Sequence, residues 1–168
     1  DSTVFTLNLG SKFNTANVTD MTRMFEYCGF SSTVFALDLG EKFDTARVTN
    51  MDGMFSMCGG SSPNFTELDL SGFTISFSEA SGLRQFAECI PVENFIFGKG
   101  WANAVLPSGV FDSPYPLSTS VTGATPNLVA YNWAADHREV TFPDKSYFTI
   151  TAAAGVGGSA SGGGTVVE

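Results

Sequence analysis

A chain of 168 residues with 43% hydrophobic and 13% aromatic content can bury a real core in one domain with an appended piece, which excludes a disordered polypeptide. Its formal charge of −9, with eight Lys and Arg scattered singly, lacks the basic footprint that nucleic acid or an anionic membrane requires. No apolar run reaches the length of a membrane span, and the opening DSTVFTLNLG lacks the basic, apolar and small-residue regions of a signal peptide.

Residues 1–30 laid over 31–60 without a gap give 18 identities, beginning with Ser2-Thr3-Val4-Phe5 against Ser32-Thr33-Val34-Phe35. Similarity present from the second residue is expected of a chain that starts inside an array, with further repeats upstream. Each unit has two parts. Leu7 and Leu9, Leu37 and Leu39, Leu68 and Leu70, then Phe95 and Phe97 are spaced by two, the mark of a short strand with one side inward. Met21, Met24, Phe25 and Cys28, repeated as Met51, Met54, Phe55 and Cys58, stand at i, i+3, i+4 and i+7. That spacing predicts helices over 19–28 and 49–58, with Thr19 and Thr49 as N-caps and a glycine stop after each cysteine. The third copy, SEASGLRQFAEC, lacks the methionines and aligns only after a one-residue shift, with Cys89 following Cys58 by 31.

The cysteines read as the last inward rung of the repeat, small hydrophobes stacked coil on coil. Three is an odd number and none lies in a C-x-x-C pair. The single histidine, His137, falls outside the repeats, so no zinc ligand set and no cofactor are expected. From Trp101 onward, proline-broken apolar segments predict short strands and loops that cap the solenoid. Trp101, Tyr115, Tyr131 and Trp133 fit core duty better than a carbohydrate platform. The organisation expected is a solenoid over 1–104, a cap over 105–146, and a linker or the start of a further β-module over 147–168.

The phrases FNTANVTDMTRMFEYC and FDTARVTNMDGMFSMC resemble the repeat of BspA-like leucine-rich-repeat proteins of bacterial surfaces. The match is specific over residues 1–60 and fades toward residue 101. The resemblance implies a right-handed α/β repeat solenoid of short parallel strands and short helices, with no catalytic residues. It also implies an extracellular, surface-attached protein of a family associated with adhesion to host matrix proteins, cells or glycans. At the far end, YFTITAAAGVGGSASGGGTVVE is similar to the opening strands of internalin B-repeat-like modules, and its Gly/Ser content suits a flexible linker equally well.

The residues between the inward Leu and Phe pairs, Asn8, Asp38, Asp69 and Ile96, with Thr6, Ala36, Glu67 and Asn94 two before them, form the outer side of the sheet, which solenoids use as their extended binding surface. Asn8, Asp38, Glu67, Asp69 and Asn94 are therefore the candidate ligand-binding residues. On adjacent strands Asp38 and Asp69 repel by under about 1 kcal/mol in water, so no bound metal is demanded. No nucleophile and base stand in a working constellation, since Asp136 and Glu139 are only chain neighbours of His137. The functional expectation is a non-catalytic adhesion or recognition module, and the alternative is a structural spacer that presents other domains.

Overall fold

The period-two phrases become strands where expected. β1 (Val4–Asn8), β2 (Val34–Asp38), β3 (Glu67–Leu70) and β4 (Asn94–Phe97) turn Leu68, Leu70, Phe95 and Phe97 into the core. The computed structural model describes residues 4–77, 80–142, 148–149 and 165–166, and it is a parallel β-solenoid of about four turns. β1 pairs with β2, Leu7 opposite Leu37 and Asn8 opposite Asp38. β3 pairs with β4, Glu67 opposite Asn94. The proline-rich segment adds β5 (Leu117–Thr122) and β6 (Arg138–Thr141), so a second parallel sheet runs β3-β4-β5-β6. A two-residue antiparallel pair, β7 (Phe148–Thr149) with β8 (Thr165–Val166), lies in the segment expected as linker or module start. The rest of that segment, 147 and 150–164 with 167–168, lies outside the described residues.

Aromatic columns run along the solenoid axis and hold successive coils in register. Phe5 stacks on Phe35 at 5.9 Å and Phe35 meets Phe65 edge-on at 4.9 Å. A second column runs Phe25, Phe55, Phe86 and Trp101 at 5.4, 5.3 and 5.7 Å. Trp101 is fully buried, and its indole N–H donates to the Leu70 carbonyl, which satisfies the one polar atom that burial would otherwise strand.

The helices expected over 19–28 and 49–58 do not form. Short helices occur elsewhere: 3₁₀ turns at Ala80–Leu83, Lys99–Trp101 and Trp133–Asp136, and the four-residue α1 (Pro126–Val129). In the methionine phrases the backbone alternates instead. Amides of Met24, Glu26, Cys28 and Phe30 each close a turn onto the carbonyl three residues back. Those of Met21, Arg23, Phe25 and Tyr27 point to the next coil and donate to Asn50, Asp52, Met54 and Ser56 at 2.8 to 2.9 Å. Left-handed residues Arg23, Tyr27, Gly53 and Met57 (φ 56° to 63°) make this alternation possible and stop any helix. The physical reason lies in the ends. A ten-residue helix leaves four N–H and four C=O groups unpaired, whereas the turn ladder pairs these amides with its neighbour coil.

Two details of the expected repeat change with it. Thr19 and Thr49 are not caps: the Thr49 hydroxyl donates to the Thr19 carbonyl, and Asp20 and Asn50 accept the amides of Thr22 and Asp52. The third copy is in register at Leu83, Phe86, Ala87 and Ile90, all buried to 1% exposure or less. Ile90 thus occupies the rung of Cys28 and Cys58. Cys89 instead shares the left-handed position of Tyr27 and Met57.

Candidate recognition face

Alternation along the strands brings the five candidate residues to the outer side of the solenoid. Asn8, Asp38, Glu67 and Asp69 are exposed and Asn94 is half-buried. Four of them form two hydrogen-bonded pairs, and Asp69 joins neither. Asn8 Nδ2 donates to Asp38 Oδ2 at 2.7 Å across β1 and β2. Asn94 Nδ2 donates to Glu67 Oε2 at 2.8 Å across β3 and β4, and Ser120 Oγ donates to Asn94 Oδ1 at 2.8 Å.

Three of these side chains also have a structural duty that the strand pattern alone did not reveal. Asn8, Asp38 and Asp69 each accept the amide two residues on, from Gly10, Gly40 and Ser71, at 2.7, 2.9 and 2.8 Å. Each strand therefore ends in an Asx turn. The signal was present in the triplets Asn8-Leu9-Gly10, Asp38-Leu39-Gly40 and Asp69-Leu70-Ser71.

Asp38 and Asp69 do not sit on adjacent paired strands. β2 and β3 are not hydrogen-bonded to each other, and the parallel ladder opens between them. Gly29 to Gly59 and Phe35 to Phe65 are 30 apart, but Leu37 to Leu68 is 31, so one extra residue enters between Phe65 and Leu68. An extra residue disrupts strand pairing. The result is a groove of about 800 Å³. Asp38, Glu41, Glu67 and Asp69 stand on its rim, Leu37, Phe43, Leu68 and Phe73 line it, and no Lys or Arg reaches it.

The remaining candidates are structural. Trp133 is buried with its indole N–H on the Leu128 carbonyl, Tyr131 is half-buried, and Tyr115 alone of the four aromatics is open at 74% exposure. No aromatic platform assembles from them. Asp136 is fully buried and accepts the amides of Gly109 and Phe111 and the Tyr131 hydroxyl, which is the job of a loop clamp. His137 faces Asp112 instead, Nδ1 to Oδ1 at 2.9 Å. Arg138 is buried against the Phe95 ring and donates to the carbonyls of Phe111, Val92 and Ile90, tying β6 to the coils before it. Burial pushes its guanidinium down to about 10, against the pull of Asp136 and Asp112. Among the described residues no three His, Cys, Asp or Glu converge to hold a metal, and no helix is long and apolar enough to cross a membrane.

Residues 1–88 match the model of a family described as Mycoplasma protein of unknown function, DUF285. The chain belongs to the DUF285 family. The match covers β1, β2 and β3, and with them both walls of the groove. The coils that carry β4, β5 and β6 continue the DUF285 sheet beyond residue 88. No curated protein and no solved structure matches the chain.

Proposed function

We propose that this chain is a non-catalytic recognition module of a bacterial surface protein, and that it binds through the outer side of its sheet around Asp38, Glu67 and Asp69. The observation that carries the reading is the groove, whose rim bears four carboxylates and no cation. Exposed acids each contribute a few tenths to about 1 kcal/mol toward a basic partner and are screened by salt. Several on one scaffold select and steer a partner more than they hold it. The resemblance of the methionine repeats to BspA-like proteins supports an extracellular setting and an adhesive role toward a matrix protein, a cell or a glycan.

One observation favours a spacer instead: Asn8, Asp38 and Asp69 are already engaged in capping their strands. The two readings separate in a variant that removes charge and keeps the caps, Asp38→Asn with Glu67→Gln and Asp69→Asn. Asn8 shows that asparagine caps this turn. Wild type and variant are compared on matrix proteins and a glycan array. Recognition predicts a partner bound by wild type and lost in the variant. Equal binding by both, or binding to nothing with the fold intact, leaves the spacer.

A further inference from the structure

The opening between β2 and β3 has the form of a place for one more strand. The Leu9 amide donates to the Asp38 carbonyl at 3.0 Å, so the backbone of Val34, Ala36 and Asp38 faces β1. The alternate residues, Phe35 and Leu37, face the split. On the far wall, the amide of Asn94 donates to the Thr66 carbonyl at 2.8 Å, which turns Thr66 and Leu68 toward β4 and leaves Glu67 and Asp69 facing β2. No hydrogen bond joins the two strands across the gap.

At its closed end the gap is already filled by a surrogate for a strand. The Asn64 carboxamide accepts the Phe35 amide at 3.1 Å and donates to the Phe35 carbonyl at 2.9 Å, the two bonds a neighbouring strand would make. The split is thus one amide group wide at Phe35. It opens from there past Leu37 on one wall and Glu67 and Asp69 on the other. Those walls are four to five residues long, the length of a short added strand.

We propose that this groove takes an extended, lysine- or arginine-bearing segment of a partner protein as an added strand, continuing the row that the Asn64 carboxamide begins. The inference rests on the recognition reading above and names its partner class. Backbone pairing with Leu37, Glu67 and Asp69 supplies affinity, as in other cases where a peptide completes a sheet. The rim carboxylates of Asp38, Glu41, Glu67 and Asp69 select cationic side chains, and the lining of Leu37, Phe43, Leu68 and Phe73 covers inward apolar ones.

The test uses the 168-residue chain and three acetylated, amidated hexapeptides. One is Thr-Lys-Val-Lys-Thr-Lys, the second carries backbone N-methyl groups on its two central residues, and the third replaces every Lys by Glu. Binding is read by calorimetry, and amide exchange is read residue by residue by NMR. The proposal expects the lysine peptide to bind and to slow exchange at Leu37, Glu67 and Asp69 by about tenfold or more, with binding lost on N-methylation and with Glu. If the N-methylated peptide binds equally and those amides stay unprotected, strand addition is wrong and recognition by the acidic face still stands. If no peptide binds while a matrix protein or glycan binds wild type and not the neutralised variant, strand addition falls and recognition again stands. If nothing binds in either experiment, both fall together.

Discussion

Gly29 and Gly10 have nearly the same left-handed backbone, φ 63° and 67°, in very different surroundings. A Cβ at Gly29 would lie 2.2 Å from Cδ2 of Phe35 in the aromatic column, while one at Gly10 meets nothing nearer than 3.8 Å. Gly10→Ala is therefore expected to cost the backbone term alone, about 1 kcal/mol, and Gly29→Ala about 3 kcal/mol as Phe35 is displaced. Urea denaturation of the two variants measures this, and equal losses would mean that Phe35 moves freely. Glu88 offers a pH test. Its pKa is raised by desolvation, then by the nearby Asp112 charge, against a hydrogen bond from Gln85. The folded state thus binds the Glu88 proton more tightly than the unfolded chain, and stability falls as pH rises from the ordinary glutamate range through the raised value. Glu88→Gln is expected to raise Tm slightly at pH 7, with the gain fading as pH falls below the ordinary glutamate range, where the carboxyl becomes protonated in both states. The cysteines are all free, and burial raises each thiol, most of all the fully buried Cys58. Denatured, unreduced protein is expected to titrate three thiols, and native protein to label Cys58 last. A count of one would show a disulfide.

At the scale of the element, the solenoid is held by side chains that bridge coils as well as by strands. The Thr45 hydroxyl, buried to 1% exposure, donates to the Thr74 carbonyl at 3.0 Å and accepts the Thr74 amide at 2.8 Å. Thr15 does the same one coil earlier with Asp44. Thr45→Val keeps the shape and strands both Thr74 groups, so a loss of about 2 kcal/mol by chemical denaturation is expected. A loss below about 0.5 kcal/mol would show that the corner re-forms without the hydroxyl. The strands were legible because alternation by two has one reading. The turn ladder was not, because offsets of 0, 3, 4 and 7 fit a four-residue turn repeat as well as a 3.6-residue helix. Met21, Met24, Phe25 and Cys28 point inward under both. What decides is the destination of the amides of Met21, Arg23, Phe25 and Tyr27, which lies 29 residues away in the next coil. The third register was written in the chain: Leu83, Phe86, Ala87 and Ile90 repeat the offsets, and the cysteine drew the alignment one residue off.

For the whole molecule, the sequence disclosed which side of the sheet is polar and hid that the sheet is interrupted there. Asn8, Asp38, Glu67, Asp69 and Asn94 do share the outer side, yet a single added residue between Phe65 and Leu68 parts them into two groups with a groove between. The Asn64 carboxamide bonds to both backbone groups of Phe35 at the edge of that opening, and no periodicity announces it. Everything proposed for this DUF285 chain turns on the groove being open, because a continuous ladder would leave only a flat acidic stripe. Amide hydrogen exchange of the free protein, followed by NMR, tests this directly. An open groove leaves fast exchange at Leu37, Glu67 and Asp69, at least about tenfold faster than at Leu9, Asn94 and Ser120, whose amides are bonded to neighbouring coils. Protection of Leu37, Glu67 and Asp69 equal to that of Leu9, Asn94 and Ser120 would show that β2 and β3 are paired and that no groove stands open between them.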